Sequence, residues 1–160
     1  MATWNEIETA VPDFARAVRQ LFDAHRHKVL ATLRKDGSPR VSGIELQFRD
    51  GELCFGTMPG SLKGNDLLRD PRLAVHSASD DPPEDPGSWP GDAKVAGRAV
   101  AVTEPETIKS LLQGTEAPAE SHLFRIDVTE VVHTRIGDPA DHLVIESWHE
   151  RDGLRRVERR

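Results

Sequence analysis

The residues best suited to chemistry lie in the segment 59–68, PGSLKGNDLL. Ser61 follows a Pro-Gly loop and is a favoured N-cap, so the pattern predicts a helix that begins directly after it. A helix N-terminus presents free N–H groups and a partial positive charge, which together attract anions. Lys63 adds a full charge in the first turn, where a cation is otherwise unfavourable. Ser61 and Lys63 therefore indicate a site for an anionic ligand; the alternative is that Lys63 is an ordinary solvated lysine.

Sequence motifs for several other chemistries are missing from the chain. It contains no G-x-S-x-G, G-x-G-x-x-G, Walker loop, C-x-x-C or H-E-x-x-H pattern. The seven histidines follow no established metal-binding spacing, so we expect no metal site. Cys54 is the single cysteine, which rules out an intramolecular disulfide, and the apolar run LCF around it predicts an inert buried thiol.

Length and charge are those of one soluble domain, which we expect to span 1–160. The net charge of −6 argues against a nucleic-acid partner. No apolar run is long enough to span a bilayer, and the start MATWNEIETAV lacks the features of a secretory signal, so we expect a cytoplasmic protein with no membrane partner. The final segment, GLRRVERR, contains four arginines and is interpreted as a partner arm, an internal clamp for acidic groups or a solvated end.

The hydrophobic pattern predicts a chain of strands with few helices. Asp-Gly pairs at 36–37 and 50–51 are strong hairpin signals, so the first three strands should form an antiparallel meander. Gly43 marks either a bulge or a close backbone approach within the second strand. The segment 122–136 is predicted as a strand pair or one long bent strand, and 80–92 as an exposed loop. Helices are predicted over 12–25, 62–69 and 104–113, and strands over 28–34, 39–48, 53–57, 72–79, 93–103, 122–136, 142–149 and 153–160.

Four segments, in this order, resemble the pyridoxamine 5'-phosphate oxidase-like split-barrel proteins. They are VLATLRKDGSPRVSG (Val29–Gly43), DGELCFGT (Asp50–Thr57), SLKGNDLLRDPRLAV (Ser61–Val75) and VAGRAVAVTE (Val95–Glu104). The resemblance covers roughly residues 27 to 112 and implies a mainly β, α+β fold: a six-stranded antiparallel split β-barrel with short flanking helices. It is far more specific for the fold than for an activity.

The resemblance also implies a homodimer that holds FMN, or the deazaflavin F420, in a cleft between its subunits. The cofactor phosphate would contact residues of the S-x-K segment and the end of the first strand, and the ring would lie along the second and third strands. The residues of this chain that the resemblance implies as cofactor contacts are Thr32, Arg34, Val41, Ser42, Gly43, Thr57, Met58, Ser61 and Lys63. Since the cofactor carries the hydride in such proteins, an oxidoreductase acting on a small organic substrate needs no side-chain nucleophile.

Three departures from the family pattern keep alternatives open. The chain has Leu62 where many members have a second basic residue, Asp66 where many have asparagine, and Glu45 close to the expected ring position. These changes favour a dimeric barrel that has lost its cofactor. Another alternative is a non-catalytic haem-binding protein, for which the ligand would be His76, His133 or His149.

Overall fold

The computed structural model describes residues 1–112 and 121–160 of the chain. The α-helices in this part are α1 (Trp4–Ala10), α2 (Pro12–Asp23), α3 (Leu62–Arg69) and α4 (Pro105–Leu112). The strands are β1 (His27–Leu33), β2 (Pro39–Arg49), β3 (Glu52–Thr57), β4 (Arg72–His76), β5 (Asp92–Ala101), β6 (His122–Ile136), β7 (Leu143–His149) and β8 (Gly153–Arg159).

Six of these strands close into an antiparallel barrel. The sheet runs in the order β3-β2-β1-β4-β5-β6-β7-β8, and an additional pairing of β3 with β6 closes the ring. The predicted six-stranded antiparallel barrel is therefore confirmed, with β7 and β8 as two further strands beyond β6. Strands β1, β2 and β3 form a meander because tight turns connect them. Gly37 and Gly51 in these turns have φ values of 82° and 76°, which residues with a Cβ rarely adopt.

Strand β6 is long because its two halves have different neighbours. Residues 122–125 pair with β3, whereas residues 130–136 pair with β7. Between them the register against β5 shifts at Ala96/Gly97, so that Thr129 is the extra residue of a β-bulge. Its hydroxyl donates to the Ala96 carbonyl oxygen at 3.2 Å. Of the two predicted forms, the structure has the single long bent strand.

The barrel opens between β2 and β3. Only residues 46–49 of β2 pair with β3, at residues 52–55. Beyond this point β3 continues along β6, while residues 39–45 of β2 remain paired with β1 alone. The two strands therefore diverge, and their separation leaves a gap in the wall of the barrel.

The core fills the barrel and extends under the N-terminal helices. On β2 the buried side chains are Ile44 and Leu46, the alternation that the sequence predicts. Phe48 stacks edge-on against Trp4 of α1 and Phe22 of α2, with ring centroids 4.8 and 6.1 Å apart. Trp4 and Phe22 are fully buried, and a large side chain buried in this way contributes roughly 1.5–3 kcal/mol, so α1 and α2 are held mainly by apolar packing.

One prediction about local structure is wrong, and one helix was not anticipated. Gly43 pairs regularly with Val29, so it does not mark a bulge. A Cβ there would meet no heavy atom of the described residues within 4 Å, and close approach of a ligand to this backbone stays a prediction. Helix α1 was not expected, although Thr3 and Glu6 form the capping box that begins it. Within the described ranges no helix is long and apolar enough to cross a membrane. Residue 113, the predicted end of the third helix, lies outside those ranges.

Candidate functional site

The gap between β2 and β3 forms an open cleft of about 520 Å³, here called the β2–β3 cleft. Its floor contains Gly43 on β2 and Gly56 on β3. A Cβ built on Gly43 would meet nothing within 4 Å in the described part of the chain, and one on Gly56 only the His122 carbonyl oxygen at 3.9 Å. Each of the two glycines therefore leaves open space where a side chain would otherwise stand in the cleft.

Lys63 brings positive charge to one end of this cleft. Its ammonium donates to the Gly43 carbonyl oxygen at 2.9 Å, which connects the first turn of α3 to the floor. Helix α3 begins as predicted: the Ser61 hydroxyl oxygen accepts from the Gly64 N–H at 3.2 Å. Ser61 itself caps the helix beside the cleft and does not line it.

A buried hydroxyl lies at the same end. Thr57 is one of the residues that line the cleft, its side chain is buried, and its Oγ1 has no hydrogen-bond partner among the described residues. Gly64 packs so closely that a Cβ there would lie 2.9 Å from this oxygen. A buried hydroxyl without a hydrogen bond lowers the stability of the folded protein by about 1–3 kcal/mol. A ligand atom that formed this hydrogen bond would recover that free energy.

Thr32 faces the barrel interior, away from the cleft. Its hydroxyl donates to Oδ2 of Asp66 at 2.9 Å, and the Arg40 Nε donates to the same oxygen at 2.6 Å. Arg69 donates to the other carboxylate oxygen at 3.0 Å. Burial raises the pKa of Asp66, but the hydrogen bonds from Arg40, Arg69 and Thr32 outweigh it and lower that pKa to about 2. Asp66 thus engages two arginines and fixes α3 against β1 and β2.

The remaining predicted residues lie on β2 or in the turn that precedes it. Arg34 donates to the Pro39 carbonyl oxygen and, at 3.4 Å, to the Ser38 hydroxyl, within the turn that joins β1 to β2. Ser42 pairs with Leu30 and is half-buried. Val41 points outward with 70 % of its surface exposed. The residues that the structure brings together in the cleft are Gly43, Thr57, Met58 and Lys63. Contact of the others with a cofactor stays a prediction.

Glu45 lines the β2–β3 cleft, two residues along β2 from Gly43. Its carboxylate lies 3.0 Å from the Arg26 Nε and 3.7 Å from the His27 Nε2. Glu45 is one of the three departures from the family pattern. Its negative charge is partly balanced by Arg26 beside it. Because all three side chains are largely exposed, the pair contributes at most about 1 kcal/mol to stability.

Helix α4 supplies an apolar wall that the sequence reading missed. Leu111 and Leu112 line the cleft opposite β2, together with Leu123 of β6. The spacing of Ile108, Leu111 and Leu112 is a helical apolar stripe, which indicates a buried face but not the surface that it covers. Cys54 also lines the cleft, and burial raises the pKa of its thiol to about 12, consistent with the expected inert role.

The three histidines considered for haem each lie beside a carboxylate. The distances from the imidazole nitrogen to the nearest carboxylate oxygen are 3.4 Å for His76 with Asp92, 3.5 Å for His133 with Glu146 and 3.6 Å for His149 with Glu130. None of these histidines lines the β2–β3 cleft. Within the described ranges, no three histidine, cysteine or acidic side chains come together as a metal site.

A closed six-stranded antiparallel barrel that opens between two neighbouring strands is a split barrel, and the cleft at the opening makes this chain a split-barrel protein with a candidate ligand site. A family model described as pyridoxamine 5'-phosphate oxidase matches residues 14–135. The chain belongs to this family. A search of curated proteins found no match.

Several solved structures share the fold. A pyridoxamine 5'-phosphate oxidase-related, FMN-binding protein from Nostoc punctiforme aligns with a TM-score of 0.63 and 15% identity over 100% of this chain and 98% of that one. A heme binding protein from Mycobacterium smegmatis aligns at 0.60 with 14% identity, covering 89% and 86%. PhzG from Burkholderia lata, in complex with tetrahydrophenazine-1-carboxylic acid, aligns at 0.58 with 15% identity, covering 94% and 87%. At these identities the likeness establishes the fold alone.

Proposed function

We propose that the β2–β3 cleft binds a flavin-type cofactor, FMN or the deazaflavin F420, and that the protein is an oxidoreductase acting on a small organic substrate. One observation carries this proposal: Gly43 and Gly56 leave open space in a cleft that Lys63 and Thr57 also line, with the Lys63 ammonium on the Gly43 carbonyl oxygen and the Thr57 hydroxyl without a partner among the described residues. A planar ring with a phosphate-bearing tail has the shape and charge that this arrangement accommodates.

The polar residues and the glycines of the cleft have different roles in this proposal. Lys63 and Thr57 hold the phosphate by a charge-assisted bond and a hydroxyl bond, with the N-terminus of α3 adding a favourable dipole. Gly43 and Gly56 let the ring approach the backbone closely. A bound flavin-type cofactor would supply the hydride chemistry, and the apolar wall of Leu111 and Leu112 would exclude water from one side of it.

A second copy of the chain would complete the site. Exposed apolar side chains surround the Lys63 end of the cleft: Met58 is 73 % exposed, Val41 70 % and Leu62 64 %. Clustered exposed apolar residues are typical of an interface. We propose a homodimer in which this patch is covered by the partner, which also encloses the cofactor. Leu62, which replaces a basic residue common in the family, contributes apolar surface there.

The decisive experiment is titration of the purified protein with FMN and, separately, with F420, followed by fluorescence quenching. Lys63→Ala removes the phosphate contact, and we expect it to weaken binding by about tenfold to a hundredfold. Lys35→Ala, which removes an exposed lysine outside the cleft, is the matched control and should bind normally. Binding of neither cofactor, or equal binding by the Lys63→Ala variant, would overturn the proposed site.

A further inference from the structure

A second cavity lies away from the β2–β3 cleft. It has a volume of about 370 Å³ and is enclosed by α2, the connection between β4 and β5, and the end of β6. We call it the α2 pocket, and no residue that lines it also lines the β2–β3 cleft. The residues that carry the argument are Leu21, His25, Asp80, Trp89, His133 and Arg135.

Polar contacts between its residues hold the outer wall of the α2 pocket in place. His25 at the end of α2 places its Nε2 3.1 Å from Oδ1 of Asp80. The indole N–H of Trp89 donates to the Asp80 carbonyl oxygen at 3.2 Å, and the Asp85 carboxylate accepts from the Gly87 N–H at 3.0 Å. A wall that is already ordered costs a ligand little conformational entropy on binding.

The apolar surfaces of the α2 pocket favour a flat ring. Leu21 and the small side chains Ala17 and Ala24 form the helix side, and Trp89 with Pro90 lies on the loop side. Trp89 is half-buried, so one part of its indole remains available for stacking. Aromatic rings pack well against an indole face and against aliphatic side chains, at about 0.5–1.5 kcal/mol beyond simple burial for an aromatic pair.

The group of the pocket that favours an anion is Arg135; Asp80, the carboxylate among the lining residues, lies beside His25. Arg135 Nε lies 3.7 Å from Oε2 of Glu146, and within the described part of the chain the terminal nitrogens of Arg135 make no hydrogen bond. Next to it His133 is only 6 % exposed, and its Nδ1 lies 3.5 Å from Oε2 of the same Glu146 without a hydrogen bond to it or to any other described residue. Burial lowers the pKa of His133, so its neutral imidazole offers one donor and one acceptor. A guanidinium with free terminal nitrogens binds a carboxylate in a bidentate manner.

We propose that the α2 pocket is a second small-molecule site, which takes a planar aromatic carboxylate. Its carboxylate pairs with Arg135, its ring lies between Leu21 and Trp89, and His133 bonds to a polar ring substituent or to the carboxylate itself. The site is independent of the proposed flavin cleft, so the two can be tested separately.

The test is a titration of the full-length protein with benzoate, followed by NMR of the backbone amides and the Trp89 indole N–H. We expect shifts at Trp89, His133 and Arg135, and weaker binding, by about tenfold or more, in Arg135→Gln. Arg16→Gln, which removes an exposed arginine of α2 outside the pocket, should bind benzoate normally. The neutral isostere benzamide should bind far more weakly than benzoate.

Further variants keep the result unambiguous. Trp89→Leu removes the aromatic side chain of the pocket and leaves its charged groups unchanged. It should also weaken benzoate binding, and it provides the test if Arg135→Gln proves unstable. Lys63→Ala, altered only in the β2–β3 cleft, should bind benzoate like the unchanged protein. Equal binding of benzamide and benzoate, an unaltered affinity in both pocket variants, or shifts confined to Gly43 and Gly56 would each overturn the proposal.

Discussion

Asp66 is the polar residue that holds the most structure together. It is 3 % exposed and accepts hydrogen bonds from Thr32, Arg40 and Arg69, which belong to β1, β2 and α3. As a buried carboxylate it is tolerated only because these donors replace water around both oxygens. The same bonds engage Arg40 and Arg69, so Asp66 also limits how much positive charge faces a ligand near α3.

The stabilising effect of Asp66 should depend on pH. Because the pKa of its carboxyl falls from the ordinary 3.8 to about 2 in the folded protein, the ionised form is favoured by folding. Its contribution, about 2 kcal/mol, is present above pH 4 and is lost as pH falls toward 2. Asp66→Asn should therefore lower the free energy of unfolding at pH 7, and the difference from the unchanged protein should shrink below pH 4.

Urea unfolding of both proteins between pH 7 and pH 3 measures this difference. Asp81→Asn, at an exposed position of the loop before β5, serves as the control and should leave the unfolding free energy nearly unchanged. A difference between the Asp66→Asn variant and the unchanged protein that stays constant across this range would contradict the assignment.

At the scale of elements, the bulge in β6 depends on a glycine in the neighbouring strand. A Cβ on Gly97 would lie 2.2 Å from the Asp127 carbonyl oxygen, a backbone atom that cannot move aside without disrupting the ladder. Gly97→Ala should therefore destabilise the protein by about 2–4 kcal/mol. Gly43→Ala is the matched control, because it adds the same methyl group to a strand glycine with open space above it.

Thermal unfolding followed by circular dichroism distinguishes these variants. We expect a clearly lower Tm for Gly97→Ala and little change for Gly43→Ala. Since Gly43 forms the cleft floor, its alanine variant should instead reduce flavin affinity. A stable Gly97→Ala protein would mean that the strands at the bulge adjust more easily than the geometry indicates.

The elements themselves were largely predictable from the sequence, because their signals are local. Ser61 and the following residues predict helix 62–69, which is the observed α3, and the Asp-Gly turns place the first hairpins correctly. The capping box of Thr3 and Glu6 was an equally local signal for α1, but it was overlooked.

The candidate site was less predictable because its contacts join distant parts of the chain. Thr32 and Asp66 are 34 residues apart, and no local pattern indicates that the Thr32 hydroxyl bonds to Asp66 instead of facing a ligand. In the same way, the apolar stripe of α4 does not reveal that Leu111 and Leu112 line the cleft. Such partners follow from the path of the strands around the barrel rather than from the residues themselves.

For the whole molecule, the proposed dimer gives a direct prediction. Val41→Asp introduces a charge into the exposed apolar patch beside the β2–β3 cleft, and desolvating that charge in an interface is costly. We expect the unchanged protein to be a dimer by light scattering and the Val41→Asp variant to shift toward the monomer, with weaker flavin binding. Leu154→Asp, at another exposed apolar position on β8, is the control and should stay dimeric.

A monomeric unchanged protein that still binds flavin would contradict the dimer proposal. It would leave the cleft itself intact as a cofactor site. Loss of flavin binding in Leu154→Asp as well as in Val41→Asp would indicate a general loss of structure instead of a loss of the interface.

Strand β8 ends the sheet and, among the described residues, pairs only with β7. Its other edge therefore presents unpaired N–H and C=O groups, which in many proteins invite a second sheet to add on and start aggregation. Arg155, Arg156 and Arg159 lie along this strand and are exposed. Two such edges that approach each other bring like charges together, and this repulsion opposes the pairing of one β8 edge with another.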